Sequence, residues 1–131
     1  MKHVVVFNKG QVGKLLNGKL IYEVWFYKKK PDFLAKLSAG DLIYFRERGE
    51  IKGQFEVGSL IFAQKPDIGS WKWIKEVGDG KLDLTREQFL EQIKENSILL
   101  IIQIDKLEQL ITSPIEIDKR SKKEWVVLGN I

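Results

Sequence analysis

The sequence predicts an α+β fold: a small coiled mixed β-barrel with a few short helices and one longer helix packed on it. Three observations carry this expectation. Ala39 to Gln64 (AGDLIYFRERGEIKGQFEVGSLIFAQ) reads as two β-prone arms around a charged turn, with apolar residues such as Phe55 and Val57 on alternate positions, as a half-buried antiparallel pair requires. Gly49 offers the positive φ of a hairpin turn, and Gly53 and Gly58 inside the second arm mark a bulge or bend of the kind that curls a sheet. Ser97 to Ile104 (SILLIIQI) is apolar almost throughout and too short to prefer helix, so it reads as a strand buried on both faces.

The remaining elements follow in order. His3 to Phe7 is a short strand, with His3 expected at its surface, and Asn8-Lys9-Gly10 is a loop in which glycine lets backbone amides approach a ligand. Gln11 to Asn17 forms one or two helical turns with Val12, Leu15 and Leu16 inward, closed by Asn17-Gly18. Leu20 to Tyr27 (LIYEVWFY) is a strand whose alternation sets Leu20, Tyr22, Val24 and Phe26 on one face and Ile21, Glu23, Trp25 and Tyr27 on the other. Lys28-Lys29-Lys30 reads first as a solvated strand end, and Pro31 to Leu37 starts a short helix. After the turn-rich Lys65 to Ser70, Trp71-Lys72-Trp73 reads as an extended segment with both indoles on one side. Leu82 to Asn96 is the long helix: Thr85 caps it, Gln88 answers three residues on, Leu84 is the staple, and Phe89, Leu90 and Ile93 make the apolar stripe. Asp105 to Leu110 reads as a further helical turn ended by Thr112-Ser113-Pro114, and Ile115 to Asp118 alternates. Lys119-Arg120-Ser121-Lys122-Lys123 is the densest basic cluster, before a closing strand at Trp125 to Leu128.

Composition bounds the chemistry. The 131 residues suit one domain, 1–131, with no linker or repeat. With no cysteine there is no disulfide, no disulfide-linked partner, no thiolate nucleophile and no Cys-type zinc site; a single histidine cannot alone build a His-type metal site, and no cofactor is expected. The apolar run near the amino terminus spans four residues and nothing approaches the roughly 18 of a membrane span, so a cytoplasmic setting without a membrane partner is expected. The charge of +4, from 22 basic and 18 acidic residues, permits a polyanionic partner without demanding one. Abundant charge, frequent isoleucine and absent cysteine lean toward a thermophile.

One stretch carries a family resemblance. Gly18-Lys19-Leu20-Ile21-Tyr22-Glu23-Val24-Trp25 resembles the G-x-K-x-x-E-x-R signature of ASCH domains, members of the PUA-like superfamily, in which the motif also follows a short helix. Gly18 and Glu23 fall in register, Leu20 stands at the motif lysine with Lys19 one place earlier, and Trp25 stands at the motif arginine. Gly40-Asp41-Leu42-Ile43 followed by Ile51-Lys52-Gly53-Gln54-Phe55-Glu56-Val57 is similar to the hairpin of ASCH, EVE, YTH and related families. The resemblance implies a PUA-like barrel with a ligand cleft beside it. Some ASCH proteins resemble small amidohydrolases that act on acylated nucleosides through the signature lysine, whose place Leu20 takes here.

Phosphate loops, nucleophile elbows, HExxH and acidic calcium loops are all missing from the sequence. Two readings from different classes stand. In the first the chain binds RNA or single-stranded nucleic acid, with or without a modified base, in a cleft between the Asn8-Lys9 loop, the Glu23/Trp25 face and the hairpin tip. Trp25, Trp71 and Trp73 then stack on bases, Asn8 and Glu23 read base edges, and Lys9, Arg46, Arg48 and Lys52 meet phosphates, with Lys19 at the same cleft. Against this, two indoles that simply pack into a core are the plainer use of Trp71 and Trp73. In the second, a small hydrolase acts on a modified nucleoside, with Lys19 or Lys9 and Glu23 as acid–base groups. A protein-interaction domain is the blander alternative.

Overall fold

The computed structural model describes residues 1–7, 9–78, 80–116 and 123–129, together with the backbone but not the side chain of Lys9. Six strands and three helices occur among them: β1 (Lys2–Val6), α1 (Lys9–Leu16), β2 (Tyr22–Tyr27), β3 (Leu42–Glu47), β4 (Glu50–Gln64), α2 (Ser70–Gly78), α3 (Arg86–Ile93), β5 (Ile98–Gln109) and β6 (Trp125–Gly129), with a 3₁₀ turn at Asp32–Lys36. The strands form one sheet in the order β2-β5-β4-β3-β1-β6. It is mixed, since β1 runs parallel to β3 while every other neighbouring pair is antiparallel.

The β3–β4 hairpin turns where the sequence places it. Arg48 (φ 52°) and Gly49 (φ 84°) both take the left-handed conformation, which Gly49 accepts without strain. Register shifts lie beside Gly53, between Phe45 and Arg46, and around Gly58, between Val57 and Leu60. A Cβ on Gly53 would strike the Phe45 ring and come within 2.7 Å of the Glu108 carbonyl oxygen. The missing side chain lets Phe45 cross the bend, so glycine is a packing requirement of the curled sheet.

One face of the sheet gathers Val5, Ile43, Phe45, Phe55, Val57, Leu100, Ile102 and Ile104 with Val12 and Leu15 of α1 and with Leu20, Leu34 and Leu37. The opposite face packs Leu99 and Ile101 against Ile74 of α2 and Phe89 of α3. β5 is therefore covered on both sides, which is why its first half is an unbroken apolar run. The capping box of α3 forms as expected, Thr85 Oγ1 accepting from Gln88 N at 3.1 Å and Gln88 Oε1 from Thr85 N at 2.9 Å, but the helix it opens runs only over Arg86–Ile93 instead of Leu82 to Asn96 and is no longer than α1 or α2.

Several expectations need correction. The barrel is not closed: among the described residues no strand pairing joins the edges β2 and β6. Aromatic side chains bridge those edges instead, Trp25 meeting Trp125 edge-on at 5.4 Å while Trp125 stacks on Phe33 at 4.0 Å. The Trp71-Lys72-Trp73 segment is helical, so its two indoles point about 200° apart around α2. Asp105 to Gln109 continues β5, held by pairing to Gly53, Gln54 and Glu56 of β4. His3 is fully buried: its Nε2 lies 2.8 Å from Asp41 Oδ2 and its Nδ1 accepts from Trp125 Nε1 at 3.1 Å. The indole donor assigns the ring proton to Nε2, so a neutral imidazole ties β1, β6 and the turn before β3 together. Asn8 and Lys119-Arg120-Ser121-Lys122 lie outside the described residues. No helix among the described residues is long and apolar enough to cross a membrane.

Candidate functional site

β2 is an edge strand, and its alternation governs the site. Ile104 N donates to Ile21 O at 2.8 Å and Ser97 N to Tyr27 O at 3.1 Å, so the odd-numbered residues address β5 with their backbone. Tyr22 N turns the other way, toward Lys81 O at 3.4 Å, and Val24 and Phe26 share its orientation. Side chains alternate too: Trp25 and Tyr27 pack on the inner face, while Tyr22, Val24 and Phe26 pack toward α2 and α3. Glu23 belongs to the inner set, the one carboxylate in a strand otherwise apolar or aromatic.

A cavity of about 360 Å³ lies at this edge, lined by Gln11, Tyr22, Glu23, Phe26, Asp83 and Gln92 among others. Glu23 is only 4% exposed. Gln11 Nε2 donates to its Oε2 at 3.3 Å, and its Oε1 is buried without a hydrogen-bond partner. Burial first, and then the negative charge of Asp83, push its carboxyl from the ordinary 4.5 up to about 8. Near neutrality the group is thus mostly a carboxylic acid, able both to donate and to accept. Leaving such a polar atom unpaired costs about 1–3 kcal/mol, which a ligand hydrogen bond would recover.

The other polar groups here have defined directions. Asp83 accepts from Lys14 Nζ at 2.9 Å in a half-exposed ion pair. Gln88, also lining the cavity, gives its oxygen to the cap of α3, and Gln92 Oε1 accepts from Asn96 Nδ2 at 3.0 Å. Both glutamines therefore have their amide hydrogens left for a guest. No lysine or arginine lines the cavity among the described residues. An adjoining hollow of about 200 Å³ shares Gln11 and Val24 and adds Trp25, Val6 and Glu124.

Of the residues singled out from sequence, Glu23 and Trp25 line these two neighbouring hollows. Lys19 is exposed on the turn before β2, while Leu20 is buried in the core at 6% exposure, so the strand does not swing to carry a lysine inward. Arg46 is buried within β3, whereas Arg48 is exposed at the hairpin tip and Lys52 pairs with Glu50 at 3.1 Å. Glu23 sits opposite Ile102 and Ile102 opposite Leu60, eight residues along β4 from Lys52, roughly 25 Å of strand. The hairpin tip and Glu23 therefore do not share one cleft. Trp71 and Trp73 pack in the outer-face cluster, Trp71 meeting Phe89 at 5.6 Å, and neither lines the cavity. Gln11, Asp83, Gln88 and Gln92 escape a reading of the sequence. Only Gln88 carries a local signal, and that signal is its capping role.

No protein-family model matches the chain and no curated protein matches it. Solved structures do. An ASCH protein from Zymomonas mobilis superposes with a TM-score of 0.59 at 8% identity, over 82% of this chain and 69% of that one. A single-substitution variant of it gives 0.60 at 8% identity, over 82% and 70%. A hypothetical protein, PH0355, gives 0.58 at 15% identity, over 80% of this chain and 98% of that one. The fold is ASCH-type and PUA-like.

Proposed function

We propose that the protein is a nucleic-acid-binding module that takes one base of RNA or of another single strand, including a modified base, into the cavity at the edge of β2. The observation that carries this reading is Glu23: a buried carboxyl with one unpaired oxygen, in a polar hollow walled by amides and aromatic rings. Unstacked bases are held by such groups, hydrogen bonds meeting the base edge while a ring covers its face. Tyr22 and Phe26 offer rings inside the cavity and Trp25 a third in the adjoining hollow. Lys19, exposed where α1 leads into β2, is the cation of the sequence-predicted set that suits a flanking phosphate. Arg48 and Lys52 serve this reading only if a longer strand extends along the sheet.

The hydrolase alternative draws less support. Leu20 is a core residue at the place of the signature lysine, and no serine, threonine or lysine lines the cavity among the described residues. The test is a titration with short single-stranded RNA and DNA at two salt concentrations, followed by tryptophan fluorescence. The binding reading expects quenching, an affinity that falls with salt, and weaker binding by Trp25→Ala in a chain that stays folded. Unchanged fluorescence with no binding at low salt refutes it.

A further inference from the structure

We infer that the cavity at the edge of β2 selects a nucleobase carrying a positive charge, such as an N-alkylated cytosine or adenine, over its neutral counterpart. The inference rests on the base-binding reading above and names the class of base. Its ground is the buried Glu23 with its unpaired oxygen, set in a hollow whose other acidic lining residue is Asp83. A neutral guest satisfies the hydrogen bond but does not balance the charge that Glu23 carries when it ionises. A delocalised cation answers both, and the rings of Tyr22 and Phe26 attract it further.

The hydrogen-bond directions point to a base and away from a simple ammonium. Glu23 and Asp83 accept, while Gln88 and Gln92 have committed their oxygens elsewhere and offer amide hydrogens. The matching guest presents an amino N–H and positive charge on one edge and keeps a carbonyl or ring-nitrogen acceptor on another. A 3-methylcytosine ring has both.

The charged groups around Glu23 are few. Asp83 comes from the segment before α3, Lys14 of α1 is held by Asp83, and Glu124 lines the adjoining hollow. β5 contributes Ile102 opposite Glu23, and α3 the neutral Gln88 and Gln92. A cation binds the ionised form of Glu23, so protonation competes with it. With that carboxyl at about 8, its ionised fraction and hence the affinity should fall roughly twentyfold between pH 7.5 and 6.0.

The experiment titrates the full chain with 3-methylcytidine, with cytidine, and with 5-methylcytidine, a neutral nucleoside bearing the same added methyl, at pH 7.5 and 6.0. Short single-stranded RNA is titrated in parallel. The inference expects 3-methylcytidine to bind about tenfold more tightly than either neutral nucleoside at pH 7.5, and to lose most of that preference at pH 6.0. Glu23→Gln should abolish both effects, and Asp83→Asn, a half-exposed substitution that spares the fold, should reduce the preference severalfold. Equal affinity for charged and neutral nucleosides overturns the inference and leaves the base-binding reading intact. A preference that persists in both variants overturns it as well, since these carboxylates would not set it. If RNA binds but no nucleoside does, and Glu23→Gln is without effect on RNA, both the inference and the cavity assignment fail.

Discussion

Replacing Glu23 with glutamine removes the titrating group while keeping its shape, and the consequence for stability is set by burial. The carboxyl sits at about 8 in the folded chain against an ordinary 4.5, because burial and then Asp83 disfavour its charge. An acid whose value is raised on folding holds its proton in the native state after the unfolded state has released it. Stability from this group is therefore intact below about pH 4.5, declines as pH rises, and levels off above about 8. The full span is about 5 kcal/mol, a substantial part of the stability of a domain this size. An amide at this position cannot ionise, so the variant escapes the decline. Urea denaturation at unit steps from pH 5 to 9, followed by tryptophan fluorescence, should show the stability difference between variant and wild type growing with pH in the variant's favour. Parallel profiles would refute the claim that Glu23 is buried without a compensating charge.

Three further outcomes are expected from contacts already described. Asp41 is pushed up by burial, but hydrogen bonds from His3, the Met1 amine and Ser38 N outweigh that and hold it below the usual range; Asp41→Asn should cost about 3 kcal/mol near neutrality and progressively less in acid, read from thermal melts across pH. Gly53→Ala should destabilise by roughly 1–3 kcal/mol in urea melts, because its methyl meets the Phe45 ring and the Glu108 carbonyl; a neutral outcome would mean the bend relaxes freely. Leu20→Lys, which restores the residue type of the ASCH signature, should lower stability by several kcal/mol and confer no hydrolysis of an acylated nucleoside, since position 20 faces the core.

Locally determined features are legible in the sequence. The β3–β4 turn, the bends at Gly53 and Gly58 and the α3 cap depend on a few adjacent residues, and each lies where turn and cap chemistry put it. The failures are non-local. Asp105 to Gln109 reads as helical by composition but is fixed as strand by its partner β4. Trp71 and Trp73 alternate like a strand, yet Trp71 and Ile74 also stand three apart, and packing on Phe89 favours the helix. His3 reads as a surface residue because its partners, Asp41 and Trp125, are 38 and 122 residues away in the chain. At the site, Glu23 is visible as a lone carboxylate among apolar neighbours. Asp83, Gln88, Gln92 and Gln11 reach its cavity only through the way α1 and α3 flank the edge of β2.

The proposed function requires that a base enter beside Glu23. Side-chain amide resonances in a ¹H–¹⁵N spectrum report on it directly as short single-stranded RNA is added. If a base enters there, the amides of Gln11, Gln88 and Gln92 move together, while those of Gln54 and Gln64 on β4 stay in place. Shifts confined to the hairpin tip around Arg48 and Lys52, with the three cavity glutamines unmoved, would contradict it.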